Sequence, residues 1–126
     1  MKKRVLICDD DLDILEVCRV ILGKRNYEVV TSIDCESIFP RLHEINADII
    51  LMDLWIPIMG GETCTKMLRE NELTRHVPVI LFSANNEIEH ISRRVNADGF
   101  IRKPFDIKDL VNMVEKHLSK EPLAKA

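Results

Sequence analysis

Short apolar runs alternate with longer amphipathic stretches along the whole chain. The runs are short enough to be buried strands, and they predict β-strands at residues 4–8, 27–31, 47–52, 78–83 and 98–102. The stretches between them have helical length. Strands that alternate with helices predict an α/β domain whose parallel sheet is covered by helices on both faces, a doubly wound architecture.

Apolar residues at helical spacing predict which face of a helix is buried. In the first helix this face would comprise Ile14, Val17, Cys18 and Ile21, and in the last helix Ile107, Leu110, Val111, Val114 and Leu118. Asp11 and Asp106 are predicted to cap these two helices. Pro40 lies inside the expected second helix, which Asp34 would cap. Because proline breaks a helical interior, this helix is predicted to start near Phe39 or to kink.

Three carboxylates close two of the predicted strands. Asp9 and Asp10 follow the first strand, and Asp53 follows the third. In doubly wound sheets, ligands bind beyond the carboxyl ends of the strands where the strand order reverses, so the three would converge if these strands are neighbours. Such a cluster is costly without a cation, and hard oxygen ligands suit Mg²⁺. Ser83 and Lys103 end the fourth and fifth strands, and the combination predicts phosphate chemistry on an aspartate.

Composition limits the class of protein. A length of 126 residues predicts one domain, over residues 1–120, followed by a frayed tail at 121–126. A net charge of −3 argues against direct nucleic-acid binding. No apolar stretch has membrane-spanning or signal-peptide length, so a cytoplasmic protein is expected. The four cysteines form no CxxC motif, which predicts reduced thiols.

Four segments carry a resemblance to a known family. Residues 5–11, 53–61, 78–84 and 100–105 resemble, in order and spacing, the receiver domain of two-component response regulators. The similarity covers residues 4 to about 118. It implies a flavodoxin-like sheet of five strands in the order 2-1-3-4-5.

The resemblance also implies a role for each residue of the cluster. Asp53 would accept the phosphoryl group, and Mg²⁺ would be held by Asp10 and Asp53 directly, by Asp9 largely through water, and by the backbone carbonyl of Trp55. Lys103 would contact one phosphoryl oxygen.

Further positions would support the acceptor or report its state. By resemblance, Ser83 would donate its hydroxyl to another phosphoryl oxygen, next to Ala84. Phe100 would be the switch aromatic, and a cis bond before Pro104 would aim the lysine inward. Asn96 replaces a glycine usual at the end of the fourth helix, and asparagine also tolerates that left-handed turn.

The function implied is that of a phosphorylation-activated switch, not an enzyme beyond its own phosphorylation and dephosphorylation. The donor would be a histidine kinase or histidine phosphotransfer protein. Output would be a downstream protein or a homodimer, through the face of the fourth helix, fifth strand and fifth helix. The chain would act as a single-domain regulator, or alternatively be a module of a larger regulator or hybrid kinase.

Particular residues argue against rival functions. A degenerate adaptor would lack the acceptor or the lysine. A calcium loop starting at Asp9 would need glycine where Ile14 stands. Flavin binding would need a phosphate-binding loop after the first strand, and a haloacid-dehalogenase-like phosphatase would carry its nucleophile on that strand. A phosphatase activity stays open to a turnover test on a small phosphomonoester.

Overall fold

A parallel five-stranded sheet forms the centre of the computed structural model, which describes residues 2–56 and 58–118. The strands are β1 (Arg4–Cys8), β2 (Glu28–Ser32), β3 (Ile49–Asp53), β4 (Val79–Ser83) and β5 (Gly99–Arg102). Their order is β2-β1-β3-β4-β5, and every neighbouring pair is parallel. The predicted fold class and strand order are confirmed. The predicted tail at 121–126 lies outside the described residues.

The α-helices are α1 (Leu12–Gly23), α2 (Leu42–Ile45), α3 (Gly61–Glu70), α4 (Ile88–Arg94) and α5 (Ile107–Leu118), and a 3₁₀ helix (Glu36–Arg41) precedes α2. Two apolar layers cover the sheet. One packs α1 and α5 against side chains such as Ile7 and Phe82. The other packs the 3₁₀ helix, α2, α3 and α4 against side chains such as Leu6 and Leu81. No helix of the described ranges is long and apolar enough to cross a membrane.

The buried face of α1 matches the predicted one only in part, since Cys18 is buried and Ile14 and Ile21 are half-buried against the core. Leu15, Cys18 and Leu22 are buried, whereas Val17 is 48% exposed. Apolar residues occupy more than one side of this helix, so periodicity alone could not choose the side that faces the sheet. Ile14, Val17 and Ile21, which are half-buried or exposed, form an apolar strip along one side of α1. In α5, Leu110, Val111 and Val114 are buried as predicted, whereas Leu118 is half-buried and Ile107 is 58% exposed.

Local signals at the helix ends behave as expected. The Asp11 carboxylate accepts from the backbone N–H of Asp13 at 3.0 Å, and Asp106 accepts from Asp109 at 2.9 Å. Asn96 takes the left-handed conformation, with φ of 62°. These are the N-caps and the turn that the sequence predicts.

Pro40 interrupts the second helical segment as predicted. The chain forms a 3₁₀ helix through Pro40, and regular α-helix begins only at Leu42. The α-helical part therefore starts slightly later than the predicted Phe39. The predicted cap, Asp34, lies one residue before the N-cap Cys35, and its carboxylate accepts from the Ser37 N–H at 2.9 Å in the first turn of the 3₁₀ helix.

The prediction of four reduced thiols is wrong for one pair. Cys35 and Cys64 form a disulfide with a Cα–Cα distance of 6.1 Å, while Cys8 and Cys18 are free and buried. The partners are 29 residues apart, and only the fold brings the segment after β2 next to α3. Motif spacing could not reveal a pairing of this kind.

Candidate functional site

The three predicted carboxylates meet at one edge of the sheet. Cys8 pairs with Met52 in the β1–β3 ladder, so Asp9 and Asp53 follow side by side on adjacent strands. Oxygens of Asp9, Asp10 and Asp53 lie within 4.8 Å of one another. The convergence expected from the strand ends is therefore present.

Two of these carboxylates are buried and one is exposed. The Asp9 residue is 0% exposed and Asp53 is 3% exposed, whereas Asp10 is exposed. The backbone N–H of Asp9 donates to the Ser32 carbonyl at 3.0 Å, and its carboxylate accepts from the Asp11 N–H at 2.9 Å. Asp9 is thus fixed from β2 and from the start of α1.

Lys103 lies between the two buried carboxylates. Its Nζ donates to Asp9 Oδ2 at 2.9 Å and to Asp53 Oδ1 at 3.3 Å. The peptide bond between Lys103 and Pro104 is cis, as the resemblance implies. The Lys103 N–H donates to the Ser83 carbonyl at 2.9 Å, which ties the lysine to the end of β4.

The electrostatics of the cluster depend on this lysine. Burial, and then the charge of Asp9, raise the pKa of Asp53 above its usual range, although Lys103 opposes the shift. Burial alone would lower the pKa of Lys103, but the hydrogen bond to Asp9 and the charge of Asp53 leave this pKa raised. An ammonium group therefore faces the carboxylates across the neutral pH range.

The donor set fits a hard divalent cation. Three carboxylates face a single ammonium group, so negative charge remains in excess at the cluster. Mg²⁺ prefers carboxylate oxygens with several waters, and the exposed Asp10 gives this side of the cluster access to solvent. Asp9, Asp10 and Asp53 could therefore hold Mg²⁺ together.

The predicted hydroxyl donor lies on the next strand. Ser83 is fully buried and immediately follows Phe82, the residue paired with Asp53. Its Oγ accepts from the Asn85 N–H at 3.0 Å, so the hydroxyl hydrogen stays available to another acceptor. Ala84, the next residue, is exposed.

Two aromatic residues from the sequence analysis lie at the surface. Trp55 is 67% exposed, and its backbone N–H hydrogen-bonds to Asp53, an interaction that favours the charged carboxylate. Phe100 is half-buried on β5, with the Arg102 guanidinium 5.4 Å from its ring centroid. That guanidinium also lies 3.8 Å from a Glu89 oxygen on α4.

Sequence reasoning missed three residues that position the site. Gly61 packs so closely on the Asp53 backbone that a Cβ there would lie 2.2 Å from the Asp53 carbonyl oxygen. The ring of Phe82 lies 4.8 Å from Lys103 Nζ, and Ser32 holds the backbone of Asp9. Only Gly61 carried a sequence signal, as the second of two consecutive glycines after the loop that follows β3.

Comparisons with known proteins give a family match. A family model described as the response regulator receiver domain matches residues 5–115. The phosphate regulon transcriptional regulatory protein PhoB of Klebsiella pneumoniae is 32% identical over 91% of this chain and 51% of its own length. The chain thus spans about half the length of this curated relative.

Solved structures share the fold. A putative response regulator from Chloroflexus aurantiacus superposes with a TM-score of 0.88 at 25% identity, over 95% of this chain and 100% of that one. The receiver domain of the sensor histidine kinase PA1611 from Pseudomonas aeruginosa, solved with magnesium coordinated in its active site cleft, gives 0.84 at 22% identity, over 95% and 100%. At that identity the second match shows the fold alone.

Proposed function

Because this chain belongs to the response regulator receiver family of two-component systems, we propose that Asp53 accepts a phosphoryl group from a phosphohistidine of a partner protein. One observation carries the proposal: a buried carboxylate at the sheet edge, with a lysine ammonium at 3.3 Å and two further carboxylates beside it. A carboxylate in this setting has the charge partners that phosphoryl transfer needs.

The proposed step exchanges one phosphorus bond for another. An Asp53 oxygen attacks the phosphorus as the bond from phosphorus to the histidine nitrogen breaks, and that nitrogen keeps the electron pair. The other ring nitrogen of the phosphohistidine carries a proton throughout, so the products are an acyl phosphate on Asp53 and a neutral imidazole on the partner. Lys103, already hydrogen-bonded to Asp53, then pairs with a phosphoryl oxygen, and the Ser83 hydroxyl donates to another.

Mg²⁺ fits the acidic residues around the acceptor. Asp10 and Asp53 would bind it directly, Asp9 largely through water, and the Trp55 carbonyl would add another oxygen. When bound, the ion supplies charge neutralisation for the incoming phosphoryl group. The cluster of three carboxylates within 4.8 Å of one another supports the assignment. The chemistry would be limited to the domain's own phosphorylation and dephosphorylation.

An apolar groove beside the acceptor supports a protein donor. It has a volume of about 390 Å³ and is lined by Ile14, Val17, Ala84, Lys103, Pro104 and Phe105. Val17 belongs to the apolar strip along one side of α1. A histidine kinase or histidine phosphotransfer protein could bury this strip while its phosphohistidine reaches Asp53. A cytoplasmic location is part of the same proposal.

Mass spectrometry tests the acceptor. With Mg²⁺ and a small-molecule phosphodonor, wild type should gain one acid-stable, base-labile phosphate, and chelation should suppress the gain. Asp53→Asn should gain none. Asp13→Asn is a matched control, because Asp13 is an exposed carboxylate in the first turn of α1 outside the cluster. Labelling of Asp53→Asn on another residue would refute the assignment.

Output through a protein contact, or a homodimer, is the second part of the proposal. Phosphate on Asp53 would draw the Ser83 hydroxyl toward it and move the loop after β4. Phe100 would then turn inward and change the face formed by α4, β5 and α5, as a shift between populated states. Direct nucleic-acid binding is not part of this output.

Solution NMR with Mg²⁺ and a beryllofluoride phosphate mimic tests this switch. Chemical shift changes should concentrate in residues 83–105, beyond those that line the carboxylate cluster. Changes confined to the surroundings of Asp9, Asp10 and Asp53 would favour phosphoryl passage in a relay over output through this face.

A second candidate is a receiver module of a longer regulator or hybrid kinase. The match to only 51% of PhoB favours it. The size of the protein detected in native cells distinguishes this candidate from a stand-alone domain.

A further inference from the structure

A covalent bond connects two segments that support the carboxylate cluster. Cys35 follows β2 and Cys64 lies in the first turn of α3, and both are fully buried in one apolar layer of the core. Nothing in the proposed phosphoryl transfer uses this bond. Its position relative to Asp9 and Asp53 suggests a separate role.

Cys35 lies close in sequence to Ser32, the residue that holds the Asp9 backbone. Ser32, three residues earlier, accepts the Asp9 N–H through its carbonyl at 3.0 Å. The Ser32 hydroxyl donates to the Asp34 carbonyl at 2.7 Å and lies 3.1 Å from the Ser37 hydroxyl. Hydrogen bonds thus fold the chain tightly between Ser32 and Cys35, so a restraint on Cys35 also restrains Ser32.

Cys64 lies close in sequence to Gly61, the residue that packs against the Asp53 backbone. The Cys64 N–H donates to the Gly60 carbonyl at 3.0 Å, and the Gly61 N–H donates to the Leu54 carbonyl at 3.1 Å. Gly61 also lies directly against the Asp53 backbone. A restraint on the start of α3 therefore restrains the chain that presents Asp53.

The sulfurs are reachable through local opening. The segment 36–45 consists of a 3₁₀ helix that contains Pro40 and an α-helix of 4 residues, and neither has a side-chain hydrogen bond at its capping residue. Short helices of this kind have few internal hydrogen bonds, so they open at lower free energy than the sheet. Opening would expose the pair to small thiols and disulfides without global unfolding.

We propose that Cys35 and Cys64 are a reversible thiol–disulfide site that tunes Mg²⁺ binding at Asp9, Asp10 and Asp53. The proposal rests on the function proposed above, because it assumes that the cluster binds Mg²⁺ and that the chain works in a reducing compartment. Disulfides in such a compartment are typically transient and redox-sensing, not permanent. In the cross-linked form, Ser32 and Gly61 stay in place beside Asp9 and Asp53. In the reduced form, both residues are held less tightly.

The chemistry is thiol–disulfide exchange with a low-molecular-weight disulfide such as oxidised glutathione. The thiolate of one cysteine attacks the small disulfide and releases one small thiolate, which takes up a proton. The second cysteine thiolate then attacks the protein sulfur of the mixed disulfide and releases the other. The protein loses two protons and two electrons, and one small disulfide becomes two thiols.

The test compares the full chain in its two redox states. Wild type is equilibrated with oxidised glutathione or with excess reduced thiol, and peptide mass spectrometry maps the cross-link in each state. Mg²⁺ alone is then titrated while the fluorescence of Trp55 is followed, since this is the single tryptophan and its N–H contacts Asp53. Circular dichroism checks that both states are folded.

Two variants isolate the pair. Cys35→Ser/Cys64→Ser removes both sulfurs, and Cys18→Ala removes a buried free thiol of α1 while the pair stays intact. We expect reduction to weaken Mg²⁺ affinity about threefold or more in wild type and in Cys18→Ala, because a preorganised site loses less freedom on binding. The double variant should show no redox dependence.

Four results would overturn the proposal. Failure of Cys35 and Cys64 to cross-link with oxidised glutathione would refute a reversible site. Unfolding of the protein on reduction would show that the bond is purely structural. Equal Mg²⁺ affinity in both folded redox states would refute the coupling while leaving the proposed function intact. An absence of Mg²⁺ binding in both states would refute the coupling and the proposed function together.

Discussion

The contact between Gly61 and the Asp53 backbone gives a sharp prediction. In Gly61→Ala, the new Cβ would lie 2.2 Å from the Asp53 carbonyl oxygen and 2.8 Å from the Leu54 Cα. These neighbours are backbone atoms, so no side-chain rotation can relieve the overlap. Either α3 or the chain after Asp53 must move by about 1 Å to reach ordinary van der Waals distance.

The expected loss of stability follows from overpacking. Extra methyl groups in packed interiors typically cost about 1–3 kcal/mol, and a rigid backbone obstacle places this variant near the upper end, at about 2–3 kcal/mol. The same displacement would shift Asp53 relative to its partners, so Mg²⁺ affinity should fall as well. Both effects have one geometric cause and should appear together.

Urea unfolding followed by circular dichroism measures the first effect, and Mg²⁺ titration of the Trp55 fluorescence measures the second. Gly23→Ala is the matched control, because nothing lies within 4 Å of a Cβ there. Alanine is the better helix former, so this control should gain about 0.5–1 kcal/mol. If the urea midpoint of Gly61→Ala equals that of wild type, the close approach of Gly61 to the Asp53 backbone does not constrain the acceptor, and the reasoning is wrong.

Four further predictions follow from the same site and its surroundings. Burial raises the pKa of Asp53 in the folded state. At pH values between the ordinary and the raised pKa, the native state therefore binds more protons than the unfolded state, so the free energy of unfolding should fall as pH rises through that window. Asp53→Asn should abolish this slope and, without Mg²⁺, be more stable than wild type at pH 7 in urea unfolding. Lys103→Met should lose about 3 kcal/mol, because it leaves buried carboxylates without their cation, and added Mg²⁺ should restore part of it; an unchanged urea midpoint would contradict this. Reducing the disulfide between Cys35 and Cys64, which are 29 residues apart, should lower the free energy of unfolding by about 3–4 kcal/mol, and a double serine variant should not respond to reductant. Trp55→Asn should speed loss of the acyl phosphate if the indole screens it from water, and equal or slower decay in a radiolabel assay would exclude shielding.

The sheet and its acidic edge were predictable because their signals are local. A short apolar run that ends in a carboxylate depends on a few adjacent residues, and β1 with Asp9 and β3 with Asp53 show this pattern plainly. Caps at Asp11 and Asp106 also depend only on contacts within a turn. Pro40 interrupts its helix for the same reason, since proline removes its own hydrogen bond wherever it stands.

The errors concern contacts between distant parts of the chain. The apolar residues of α1 offered more than one face, and packing against the sheet selected Leu15, Cys18 and Leu22. The pairing of Cys35 with Cys64 and the approach of Gly61 to Asp53 likewise depend on how α3 sits beside the sheet. The distance in space between such segments cannot be read from the sequence pattern of either one.

The sequence by itself determined the α/β alternation, the helix ends and the residue types at the strand termini, because each follows from the preferences of neighbouring residues. Tertiary structure alone decided that Lys103 bridges Asp9 and Asp53, and that a disulfide joins the two segments supporting them. Lys103 is 94 residues from Asp9 along the chain. Only the parallel order of β1, β3, β4 and β5 brings them together, since parallel strands place their carboxyl ends at one edge of the sheet.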